Sequence, residues 1–154
     1  MIFDSTADTQ DHIGKVQARV QECINNLTVR AARHDESKLA APEKAGYDLL
    51  TRAMAGKVYG TDEYKTAMAD VMTNPIVKEA WHHHFTHNSH HTEYYEDGIT
   101  GMSLLDIIEM LADWKGASER NGPSELTIAY SVQRHKIDPQ LAAILENTIR
   151  ELDW

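Results

Sequence analysis

What this chain has little of narrows its class before any motif is read. It has one cysteine, Cys23, so no internal disulfide can form, and a reducing compartment is expected. No stretch of about 18 apolar residues is present, and the N-terminus lacks a basic-then-apolar leader, so a soluble, cytoplasmic protein is expected. Basic residues are the minority: 15 Lys and Arg stand against 24 Asp and Glu, a net charge of −9. That balance argues against a long nucleic acid or a membrane as partner, but leaves a small anionic substrate open if bound metal reverses the local field. Strand-like alternation, internal repeats and linkers are also missing. The length of 154 residues suits one domain, and a charged fraction of 25% with 42% hydrophobic residues is ordinary for a globular chain.

Helical signals fill the space those absences leave. Thr9 to Arg33 reads as a helix with His12, Val16, Val20, Cys23 and Leu27 on one face, so His12 is expected to point inward. Pro42 opens a helix over 43–55, Thr61 caps a short one, and Asn74-Pro75 starts another. Ser103 caps the most regular helix. Its apolar face is Leu104, Leu105, Ile107, Ile108 and Leu111, and an acidic row of Asp106, Glu109 and Asp113 lies apart from it. Asn121-Gly122-Pro123 ends that helix, and two more follow near 125–134 and 139–152 as packing or oligomerisation elements. The predicted fold is all-α, a compact single-domain bundle of about six or seven helices spanning 1–154.

Histidine is what the chain has in excess. Six of nine fall in Trp81–His91, WHHHFTHNSHH. On a continuous helix His84, His87 and His91 share one face, and His83, His87 and His90 a neighbouring one. Such a stripe either is solvated or, if other ligands converge on it, holds a borderline metal. Possible partners are His12, the adjacent pair His34-Asp35, and Asp113. Neighbouring helical residues point about 100° apart, so His34 and Asp35 can both reach one ion only where a helix ends or is distorted.

This order resembles the HD-domain superfamily of metal-dependent phosphohydrolases, whose signature H…HD…D matches His12, His34-Asp35 and Asp113. Lys38 fits the frequent HDxxK extension. A closer resemblance, over HDESKL, VYGTDEYK, HHHFTHNSHH, GITGMSLLDIIEMLADW and the tail, is to a family of small phage and bacterial proteins patterned HDxSK…HHxxNxxHHPE…ExxxDW. The proline of that pattern is Thr92 here. The resemblance implies an HD-like site with one or two divalent ions (Mn, Fe, Co, Ni or Zn) held by His12, His34, Asp35, His84, His91 and Asp113. It also implies Lys38 on the anion, Asp35 and Glu109 in the chemistry, and His83, His87, His90 and Glu93 orienting ligands or touching substrate. The expected activity is hydrolysis of a nucleotide or other small phosphate ester, in the host cytoplasm if the protein is phage-encoded. The alternatives are an HD-type di-iron oxygenase and a non-catalytic protein that binds a nucleotide signal or a host protein.

Overall fold

The computed structural model describes residues 4–121 and 125–154, so the expected stop at Gly122-Pro123 lies outside the described residues. Among them there are seven α-helices and no strand. The helices are α1 (Thr6–Arg33), α2 (Glu43–Met54), α3 (Asp62–Val71), α4 (Pro75–His87), α5 (Leu104–Ser118), α6 (Ala129–Arg134) and α7 (Pro139–Glu151). No helix among the described residues is long and apolar enough to cross a membrane. The chain divides between His34 and Asp35 into two units.

The first unit is essentially α1. Asp8 near its start and Arg30 and Arg33 near its end complement the helix dipole. None of its residues is buried, and His12, expected to point inward, is exposed. One helix cannot bury its own stripe, so amphipathic register alone does not create an interior.

In the second unit the caps fall where turn chemistry predicts. Thr61 Oγ1 accepts from Tyr64 N at 3.2 Å, Asn74 Oδ1 from Ile76 N at 3.0 Å, and Asp138 Oδ1 from Gln140 N at 2.8 Å. Pro75 and Pro139 occupy the first helical turn, where no amide donor is missed. α2 packs on α4 at Gly46: a Cβ there would lie 2.3 Å from Ala80 Cβ and 2.6 Å from the Ile76 carbonyl oxygen. Leu50, Val77 and Ala80 are buried in this half. A second apolar cluster joins α5, α6 and α7 through Leu111, Ile128, Ile137 and Leu145, with Ile107, Trp114 and Leu141 packed against it.

Two expectations about helix faces are corrected. α4 ends at His87, so His90 and His91 are not on the helix. Asn88 turns to extended backbone and caps the helix end, its backbone N–H and its side-chain amide both donating to the His84 carbonyl, at 3.1 and 2.8 Å. On α5 the expected face holds only in part: Leu111 is buried and Ile107 packs on the core, but Leu104 is 74% exposed and Ile108 is exposed, whereas Asp106 and Met110 are buried and Glu109 nearly so. The acidic row points inward because its members are satisfied there. Ser103 N and Oγ donate to Asp106 Oδ2 at 2.8 and 2.6 Å, closing a capping box. Burial alone would raise the Asp106 pKa; those hydrogen bonds outweigh it and hold the carboxyl well below its usual range.

Candidate metal centre

A backbone break aims the acidic residue of the site. Asp35 sits in the left-handed region (φ 58°, ψ 12°), ahead of a 3-10 turn over Glu36–Leu39. Asp tolerates that conformation better than most residues, and such strain persists where the surroundings fix it. Lys38, one turn on, ion-pairs with Asp35 Oδ2 and lies over the Tyr47 ring, 4.7 Å from its centroid. Oδ1 is left to the histidines: His84 Nε2 is 3.2 Å from it and His90 Nε2 3.5 Å.

The turn after α4 completes the cluster. Asn88 O accepts from His91 N at 3.1 Å, which folds residues 88–91 back over the helix end. His91 then meets His84 with ring centroids 4.8 Å apart, and stacks on Phe85 at 4.0 Å. One ligand atom each from Asp35, His84, His90 and His91 lie within 4.8 Å of one another. The Nε2 atoms of His84 and His91 are buried and make no hydrogen bond among the described residues. Leaving such nitrogens unmade is costly in a dry site, and an ion at their convergence removes the cost. Three imidazoles and one carboxylate fit a borderline divalent ion such as Zn, Fe, Co or Ni.

Carboxylates behind two of these rings fix which nitrogen faces inward. Glu43, fully buried, takes His84 Nδ1 on Oε2 at 2.9 Å, His83 Nδ1 on Oε1 at 2.7 Å, and the Ser37 hydroxyl at 2.8 Å. Burial would raise the Glu43 pKa; the donors His83, Ser37 and His84 hold it below the usual value. An ionised carboxylate only accepts, so Nδ1 of each ring carries the proton, and Nε2 of His84 presents its lone pair. Glu109 stands 3.3 Å from His90 Nδ1 and repeats the arrangement.

Charges in the pocket follow from the same contacts. Burial works to raise the Asp35 pKa, but His84, His90 and Lys38 outweigh it and keep the carboxyl well below its usual range. For His91 burial dominates, aided by His90 and His84, and pushes its pKa down to about 2, so the ring stays neutral and able to ligate. Burial likewise pushes the Tyr47 phenol up, which keeps it protonated; its ring meets the edge of His84 at 5.3 Å.

Of the residues singled out from sequence, Asp35, Lys38, His84 and His91 come together, and His90 joins them as a member of the cluster itself. Glu109 supports His90. Asp113, half-buried on α5, places a carboxylate oxygen within 4.8 Å of a ring nitrogen of His90. His83 reaches Glu43, and the exposed His87 stacks on His83 at 4.0 Å. Glu93 is exposed, 3.7 Å from Arg134 rather than among the histidines. His34 is the half-buried C-cap of α1 and, with the exposed His12, belongs to the first unit. Thr92, at the position of the expected proline, is buried and its hydroxyl lies 2.9 Å from His135 Nδ1. Glu43 and Tyr47 carried no sequence signal: an acid in a first helical turn is commonplace. Ser37 and Asn88 were inside the quoted motifs, with no role attached.

The second unit is thus a helical domain with a candidate metal centre of three histidines and one aspartate. The chain belongs to DUF5662, a family of unknown function, whose model matches residues 1–151. No curated protein and no solved structure matches it.

Proposed function

We propose that the protein is a metal-dependent hydrolase of small phosphate esters, nucleotides foremost, of the kind the HD-type motif order suggests. The observation that supports this best is the convergence of Asp35, His84, His90 and His91 beside Lys38. A divalent ion in that group supplies Lewis acidity and lowers the pKa of a bound water. The residues do the rest. Glu43 and Glu109 hold the Nδ1 protons of His84 and His90, so those rings keep one orientation. Lys38 spends one N–H on Asp35 Oδ2; its remaining two can donate to a phosphoryl oxygen, and its side chain is 20% exposed, within a ligand's reach. Glu109 then acts by positioning His90 rather than by moving a proton itself.

Metal analysis of untagged protein, followed by a screen of nucleotides and phosphate esters with each of Mn, Fe, Co, Ni and Zn, tests the reading. Stoichiometric metal and turnover, both lost in Asp35→Ala with helicity retained, are expected. Metal content and phosphatase activity unchanged in Asp35→Ala would end this reading. Oxygen consumption with iron alone would move the site to oxygenase chemistry, and ligand retention without turnover under every metal to a binding role.

A further inference from the structure

His83 and His87 lie outside the four-residue centre, and hydrogen bonds fix the tautomer of each. His83 Nδ1 is 2.7 Å from Glu43 Oε1, and an ionised carboxylate can only accept, so Nδ1 carries the proton. The His83 carbonyl, 2.8 Å from His87 Nδ1, likewise only accepts. The Thr86 hydroxyl lies 3.0 Å from the same nitrogen but gives its own proton to the His82 carbonyl at 2.7 Å, so it accepts as well. Nε2 of each ring is thereby left with its lone pair, on side chains that solvent reaches: His83 is 33% exposed and His87 is exposed. A carboxylate behind one ring and a backbone carbonyl behind the other are the partners that metal-bound histidines have.

The spacing suits a shared ion. Residues four apart share a helix face, which is how two histidines of one helix take a Zn ion in H-E-x-x-H sequences. The His83 and His87 rings stack with centroids 4.0 Å apart and planes within 6°. A tetrahedral Zn at about 2.0–2.1 Å from each nitrogen sets the two nitrogens about 3.4 Å apart, so a small turn of the exposed His87 ring brings both Nε2 atoms to it. We propose that His83 and His87 form a second, exposed site for a borderline divalent ion such as Zn or Ni, its remaining positions open to water or a small anionic ligand. It is separate from the buried centre. The next residue, His84, points about 100° away around α4, and its Nε2 faces Asp35. Glu43 anchors both sites, through Oε1 to His83 and Oε2 to His84. The exposed site lacks the attraction of a carboxylate ligand, so it fills after the buried one.

Equilibrium dialysis of the untagged, metal-free chain against Zn alone, counting Zn bound per chain, tests this. Wild type should bind a tight ion and then a weaker one. His87→Ala removes one ligand and leaves the His83–Glu43 contact in place. It should weaken the second ion by more than roughly tenfold, the least that loss of even a supporting partner costs, and leave the tight ion unchanged. His82→Ala, on an exposed neighbour, should keep both ions. Asp35→Ala should lose the tight ion and keep the weaker one, which separates this site from the buried centre. A wild-type chain whose single ion is lost in His87→Ala and kept in Asp35→Ala would support the exposed site and remove the buried one. Nitrogen NMR of labelled histidine locates the ion, through shifts at Nε2 of His83 and His87 as the weaker ion binds. Zn binding in His87→Ala identical to wild type, or loss of the weaker ion in His82→Ala, would overturn the inference.

Discussion

Glu43→Gln perturbs the candidate centre without touching any of its four converging residues. Native Glu43 offers two acceptor oxygens, one to His83 Nδ1 and one to His84 Nδ1, and takes the Ser37 hydroxyl as well. Glutamine keeps the shape but replaces one oxygen with an NH2 donor. One imidazole must then accept at Nδ1 and carry its proton on Nε2 instead. If that ring is His84, its Nε2 can no longer present a lone pair to an ion; if it is His83, the shared carboxylate charge behind His84 is still gone. Loss of such a supporting partner weakens metal binding by roughly 10- to 100-fold, or about 1.4 to 2.7 kcal/mol. Isothermal titration of the metal-free chain with Zn or Co, alongside circular dichroism, reads the effect. The variant should fold and bind metal weakly. Glu43→Ala should also lose stability, because His84 Nδ1 and Ser37 Oγ would be left in a fully buried gap. Wild-type affinity in Glu43→Gln would refute the assignment of Glu43 as the residue that sets the His84 tautomer.

Three further outcomes follow from other contacts. Gly46→Ala drives a methyl into Ala80 and the Ile76 carbonyl, so α2 and α4 must separate, and urea denaturation should show a loss of about 1–3 kcal/mol or more; an unchanged midpoint would contradict that packing. Ser103→Ala removes one half of the capping box and leaves buried Asp106 under-satisfied, which should cost about 1 kcal/mol and lower the melting temperature by a few degrees. The metal-free protein should lose stability as pH falls below the ordinary histidine value. His91 remains neutral when folded (pKa about 2) while its unfolded counterpart protonates near 6.5, so the unfolded state binds more protons between those values, and His135, whose pKa burial also lowers, adds to the slope. Urea midpoints at pH 7, 6 and 5 in chelator should fall steadily; a flat series would count against buried neutral rings.

How much of this was legible in the chain depends on whether the signal was local. Caps were: Thr61, Asn74, Ser103 and Asp138 each satisfy amides two or three residues ahead, and short-range chemistry of that kind survives any tertiary arrangement. Residue types at the site were legible as well, through the crowding of histidines and the motif around Asp35. Geometry was not, because periodicity assumes that a helix continues. Asn88 turns to extended backbone at the end of α4, and the two histidines beyond it reach His84 by turning back rather than by stacking a helical turn on. The inward acidic row of α5 misleads for a related reason. Hydrophobic patterning ranks Asp106 and Glu109 as solvent-facing, but Ser103 satisfies the first and His90 adjoins the second, and a satisfied carboxylate can occupy the interior that Leu104 leaves. On α1 the same patterning succeeds in identifying a stripe and fails to say what covers it.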